Sequence, residues 1–148
     1  MSGIMVGHDG SNHSQTALRE ALALARGLGE EVTVVRAFGL REIGIPAGLA
    51  PFGQVPSIDE IGEHVATALK RQIAPALADF EDVPVTVRAV PGKSAAVLIR
   101  ESEGFRMLVV ASRGLGGLDK LLMGSVSERV VALAPVPVLV TRSRSTDG

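Results

Sequence analysis

The sequence predicts an α/β protein: a single doubly wound, five-stranded parallel sheet with helices on both faces. Three observations carry this. Short β-branched runs alternate with stretches of helical period, in the order β-α-β-α-β-α-β-α-β. The runs are apolar throughout, as in Val32-Thr33-Val34-Val35 and Leu108-Val109-Val110-Ala111, the pattern of strands buried on both faces. The chain has 148 residues, 46% hydrophobic and 21% charged, which suits one domain with its own core and excludes a disordered chain.

Each element follows in turn. Ile4 to Gly7 is a short strand stopped by His8-Asp9-Gly10-Ser11. Ala17, Leu18, Ala21, Leu22, Ala25 and Leu28 have helical spacing, with Ser11 or Asn12 as the cap and Gly29 as the stop. Val32 to Phe38 is a buried strand. Residues 39–56 hold Gly39, Gly44, Gly48, Gly53, Pro46, Pro51 and Pro56 without a period, so they read as a long loop. Ser57-x-x-Glu60 is a capping box opening a helix with the stripe Ile61, Val65, Leu69, Ile73, Leu77, Phe80. Pro75 lies inside it and is expected to kink or split it. Val83 to Val90 is a strand, Pro91-Gly92 a turn, Ser94 to Glu103 a helix, and Met107 to Ala111 a strand. Residues 112–123 form a glycine-bearing loop, and Ser125-x-x-Glu128 is a second capping box, opening a helix to about Ala134. Val136 to Val140 is the last strand, and residues 141–148 are a polar tail expected to fray. The chain has no internal repeat.

Composition removes several function classes. A net charge of −1, no Trp or Tyr and four Phe argue against a nucleic-acid partner. With no cysteine there are no disulfides, thiolate nucleophiles or iron–sulfur sites, which fits a reducing compartment. No apolar run is long enough to span a membrane, and the start MSGIMVGHDGS has neither basic region nor long apolar core. The expected location is the cytoplasm.

Ligands of open α/β sheets bind beyond the carboxyl ends of the strands, so the βα loops hold the chemistry. After strand 4, Ser112-Arg113-Gly114-Leu115-Gly116-Gly117 leads to Gly124-Ser125-Val126-Ser127. Glycines admit close backbone approach, a helix start offers free N–H groups to an anion, and the Ser125 and Ser127 hydroxyls are further donors. This describes either a phosphate cradle or a loop before a capped helix. Gly92-Lys93-Ser94 resembles a P-loop end, but Val87 stands where the first P-loop glycine belongs, so it reads as a turn with Ser94 as cap. Asp9 is a turn residue or a carboxylate accepting bonds from a sugar or base edge. Histidine is the side chain whose free form titrates near neutrality, but His8 has no catalytic partner in the sequence; His13 and His64 show none either. No Gly-x-Ser-x-Gly elbow or metal-ligand spacing occurs.

These residues resemble the universal stress protein family, over roughly residues 3–141. Val6-Gly7-His8-Asp9-Gly10-Ser11 is similar to its first strand and Asp-bearing loop, and Pro135-Val136-Pro137-Val138-Leu139-Val140 to its last strand. The motif of the ATP-binding branch is Gly, two residues, Gly, nine residues, Gly, then Ser or Thr. Gly114, the nine residues Leu115 to Met123, and Gly124-Ser125 fit it, with Ala111 at the first glycine. The added methyl group either narrows the loop, in which case Ala111→Gly tightens ATP binding, or is harmless. The resemblance implies that Gly7 and Asp9 lie near the nucleoside and that the backbone at Ala37 faces the adenine. It implies that Ala111, Ser112, Arg113 and Gly114 line ribose and phosphates, and that Gly124, Ser125, Val126 and Ser127 hold the phosphate chain. The implied strand order is 3-2-1-4-5. The loops support it, because the Asp loop and the glycine loop adjoin at the reversal point only in that order.

The implied function is an adenine-nucleotide-binding regulatory or stress-response module. Its ligand would be ATP, with Mg²⁺ accompanying it, or AMP or cyclic AMP. A slow ATPase and a member that binds no nucleotide and acts through protein partners are the alternatives; no catalytic or metal-ligating residue is assigned. Val136 to Val140 would be an uncharged apolar edge strand, so a homodimer paired through it is expected, unless the tail with Arg142 and Arg144 folds back over the edge.

Overall fold

The computed structural model describes residues 2–39, 57–113 and 123–143. The elements are β1 (Ile4–Gly7), α1 (Asn12–Leu28), β2 (Val32–Phe38), α2 (Ile58–Ala78), β3 (Val85–Pro91), α3 (Ser94–Glu101), β4 (Met107–Ala111), α4 (Ser125–Leu133) and β5 (Val138–Thr141). All neighbouring strands are parallel, in the order β3-β2-β1-β4-β5, as expected. The central strand registers Val6 against Val34 on one side and against Val109 on the other.

The two-residue period of the strands divides the core. Ile4, Val6, Val32, Val34 and Val109 pack with Leu18, Leu22, Leu69 and Ile73 of α1 and α2. Met5, Val35, Ala37, Leu108 and Val110 face the other way and pack with Val97, Leu98 and Val130 of α3 and α4. Both faces of the inner strands β1, β2 and β4 are covered, which is why they are mostly apolar, while the edge strand β3 exposes Thr86 and Arg88.

Several expectations are corrected. Pro75 does not split α2, which runs unbroken from Ile58 to Ala78. The buried stripe Ile61, Leu69, Ile73 and Ala76 extends to both sides of the proline, and this packing outweighs the lost N–H. Strand β3 starts at Val85, because Val83 turns back to donate its amide to the Phe80 carbonyl at 3.0 Å. Strand β5 starts at Val138, because Pro135 and Pro137 hold the approach out of the ladder until the Pro137 carbonyl receives the Leu108 amide at 2.9 Å. Thr141, placed in the tail, is its last residue, buried in β5. Helix α3 ends at Glu101 and is capped by Lys93, with Ser94 as its first residue. Gly92 has φ +135, so the Gly-Lys-Ser triplet marks a tight turn off an edge strand. The expected loop from residue 40 to 56, residues 114–122 with Gly114, and the tail from residue 144 lie outside the described residues.

Candidate functional site

At the switch point the chain leaves β1 for one sheet face and β4 for the other, opening a crevice above their carboxyl ends. The structure brings the expected site residues to this end. Gly7 closes β1, Ala37 is next to last in β2, Ala111 closes β4, Ser112 and Arg113 follow it, and Gly124 to Ser127 start α4. Gly7 is needed where it is: a Cβ there would lie 2.7 Å from Leu98 Cδ1 and 3.4 Å from Val110 Cγ1.

The first loop is a closed network. The Asp9 Oδ1 accepts from the Ser11 amide at 2.9 Å and from the Ser14 hydroxyl at 2.6 Å. The Ser14 Oγ accepts from the Asp9 amide at 3.1 Å, and the Ser11 hydroxyl donates to Ser14 Oγ at 3.2 Å. Ser11, not Asn12, is the cap of α1, accepting from the Ser14 amide. Both readings of Asp9 are therefore compatible: it orders the turn and stands at the crevice.

Three further residues shape this loop. The buried His8 ring accepts the Gly10 amide on Nδ1 at 3.0 Å. Burial holds its pKa below the usual histidine value, and Arg36 pushes the same way; Gln15 and Asp9 oppose them. Gln72 of α2 donates to the Gly10 carbonyl at 2.7 Å, and Gln15 of α1 donates to the Gln72 carbonyl at 2.8 Å. Arg36 lays its guanidinium against Gly10, whose φ is +90. The sequence signal for Arg36 is one charge inside an apolar strand; Gln15 and Gln72 have no such signal. His13, read as having no partner, joins its Nδ1 to the Ser143 hydroxyl at 2.8 Å and ties the start of α1 to the segment after β5.

Backbone direction at Ala37 follows from alternation along a strand. Val35 gives its carbonyl to the His8 amide on the β1 side, and Phe38 gives its carbonyl to the Gly92 amide on the β3 side. Ala37 shares the direction of Val35, so its backbone groups point to where β1 has ended.

The β4–α4 side is stitched by two short bonds. The Gly124 amide donates to the Ser112 carbonyl at 2.7 Å, and the Ser127 hydroxyl donates to the Ala111 carbonyl at 2.6 Å. Gly124 is the cap of α4, not Ser125, and as a glycine it supplies no side-chain cap. The first helical bond is from the Glu128 amide to the Gly124 carbonyl, leaving the amides of Ser125, Val126 and Ser127 at the helix start. The Ser127 hydroxyl, expected as a ligand donor, is instead bound to Ala111. Ala111 has no positive φ, and its side chain packs against the core under α1. We therefore expect Ala111→Gly to cost about 0.5–1 kcal/mol in a urea titration; a variant as stable as the wild type would contradict this packing.

This is a doubly wound α/β protein whose β1 and β4 loops meet at the switch point of the sheet. The chain belongs to the universal stress protein family: the model of that family matches residues 1–142. It is 32% identical over 141 residues to universal stress protein Rv2005c of Mycobacterium tuberculosis, covering 94% of this chain and 45% of that protein. The chain thus spans about half the length of this relative. It is 30% identical over 150 residues to a universal stress protein of Thermus aquaticus, covering 94% of this chain and 97% of the other. Among solved structures, a universal stress protein in complex with cAMP aligns with TM-score 0.67 at 22% identity, covering 95% of this chain and 96% of the other. One from Archaeoglobus fulgidus in complex with dAMP aligns with TM-score 0.62 at 18% identity, covering 95% and 97%. At these identities the structural matches establish the fold.

Proposed function

We propose that this universal stress protein is a regulatory module that binds an adenine nucleotide, ATP foremost, and acts through occupancy. The observation that carries the reading is the start of α4. The amides of Ser125, Val126 and Ser127, unpaired within the helix, are held beside the end of β4 by the Gly124 and Ser127 bonds, across the switch point from Asp9. Free amides and the helix dipole stabilise phosphate oxygens. Asp9 suits ribose hydroxyls, the Ala37 backbone suits an adenine edge, and Ser112, Arg113 and Gly114 would complete the lining. The nucleotide complexes of the two structural neighbours support this choice of ligand class. Mg²⁺ would come with ATP, bound through its phosphates and water. The residues favour binding over turnover, because Asp9 Oδ1 already accepts two hydrogen bonds. A cytoplasmic site of action accords with the absence of cysteine and with no described helix being long and apolar enough to cross a membrane. Calorimetric titration with ATP, ADP, AMP and cyclic AMP tests the reading: saturable ATP binding supports it, and no binding of any of the four refutes it.

The proposal includes a homodimer paired through β5. This strand is an edge of the sheet, and α4, which packs on it, exposes Val131 and Leu133 by 46% and 57%. A second copy would pair the open ladder and cover this apolar rim. Val138→Lys is expected to halve the mass seen by light scattering at micromolar concentration while the circular dichroism is kept. A wild type that is already monomeric there would overturn the pairing.

A further inference from the structure

We propose that His8 is a positioning residue for the Asp9 loop, and that protonating its ring releases the loop and weakens nucleotide binding. The second half rests on the nucleotide reading above; the first does not. His8 is 3% exposed and lies directly after β1, its amide bonded to the Val35 carbonyl at 2.9 Å. Its ring is therefore fixed to the sheet. The Gly10 amide points at Nδ1. A backbone amide can only donate, so Nδ1 must carry a lone pair and the hydrogen must sit on Nε2. The Nε2 group and the Gln15 Oε1 are both buried, with no hydrogen bond of good geometry among the described residues, and Gln15 is the side chain that favours the charged ring most.

Protonation puts a second N–H at Nδ1, facing the Gly10 N–H. The acceptor is lost and two donors oppose each other. The new cation is buried and is repelled by the Arg36 guanidinium from β2. Asp9 in the loop and the neutral Gln15 of α1 favour the charged ring, but burial outweighs both. From α2, Gln72 reaches Gly10 only as a neutral donor to its carbonyl. The least costly relief is for Gly10 to turn away. Ser11 follows Gly10 directly, and its amide is one of the two donors that hold Asp9 Oδ1. One proton at His8 is thereby transmitted to the carboxylate at the crevice.

The sign follows from the lowered value of the folded ring. Between that value and about 6.5 the open loop binds more protons than the closed one, so acidification favours opening, and the closed loop is secure above about 6.5.

Two measurements on the full chain test this. The first follows the His8 ring by NMR without nucleotide, together with the backbone amides of Asp9, Gly10 and Ser11, from about pH 7.5 to 5. These amides are expected to move with the ring at one midpoint below about 6.5. Amides that stay still while the ring titrates would overturn the proposal. The second measures cyclic AMP affinity, because its phosphodiester keeps one charge throughout this range. Binding should weaken on going from about pH 7.5 to 5.5, by no more than about tenfold for a midpoint below 6.5. His8→Asn places an amide oxygen where Nδ1 stood but does not titrate, so its affinity should be flat over the same range. An unchanged pH dependence in His8→Asn would overturn the assignment. If that variant fails to fold, the wild-type amide titration decides alone. No cyclic AMP binding at either pH would refute the weakening of binding, while the amide titration still decides whether His8 positions the loop.

Discussion

Gly10→Val should be the most damaging change near the site, costing about 2–4 kcal/mol and eliminating nucleotide binding. Gly10 has φ +90, a region that a β-branched residue essentially never adopts. A Cβ built there lies 2.6 Å from Arg36 Nη1, so the guanidinium must leave as well. The loop would then lose its bonds from Gly10 to His8 and Gln72. Adding Arg36→Ala to the same chain removes the steric part and should recover some stability, but not the backbone part. Urea unfolding of the single and double variants measures both. A Gly10→Val protein as stable as wild type would mean that the loop does not have this conformation.

Ser127→Ala should rank second, at about 1–3 kcal/mol. The hydroxyl is buried and donates to the Ala111 carbonyl at 2.6 Å, which fastens the first turn of α4 to the end of β4. Alanine leaves that oxygen with one partner fewer and frees the helix start to shift. Because the same turn carries the amides of Ser125 and Val126, the affinity for ATP should fall together with the stability. ADP and ATP should lose more than adenosine, which has no phosphate to reach the helix. Equal losses for all three would place the effect outside the phosphate side of the crevice.

These two residues also show what a sequence can and cannot disclose. The strand order was legible through the family resemblance, and the Asp loop after strand 1 and the glycine loop after strand 4 supported it, since they adjoin at the reversal point in that order. The apolar strands and the period of α1 and α2 were legible because both sheet faces are buried. Element ends were less so. Capping boxes are expected at Ser57 and Ser125, and at the first Ser57 is the cap, with the Glu60 amide bonded to Ser57 Oγ at 3.1 Å. At Ser125 the cap is Gly124, because the Gly124 amide is bound to the Ser112 carbonyl and fixes the entry of the helix one residue earlier. The site residues could be named from the motif, but the parts that hold them could not. Gln72 and Gly10 are 62 positions apart, and Arg36 meets Gly10 only across the sheet. His8 shows no partner in the sequence pattern, and only its burial reveals its bond to Gly10.

On the proposed function, a nucleotide at the switch point rests its phosphates on the start of α4. Titrating ATP into ¹⁵N-labelled protein and following the backbone amides tests it most directly. Saturable shifts are expected at Ser125, Val126 and Ser127, and at Asp9 and Ala37, with little change at the opposite end of the sheet. That end holds a cavity of about 400 Å³ lined by Arg26, Glu30, Glu31 and Asp82, whose side chains are partly engaged in the Arg26–Asp82 and Arg106–Glu30 pairs. Saturable shifts confined to that cavity, or none at the start of α4, would contradict the account.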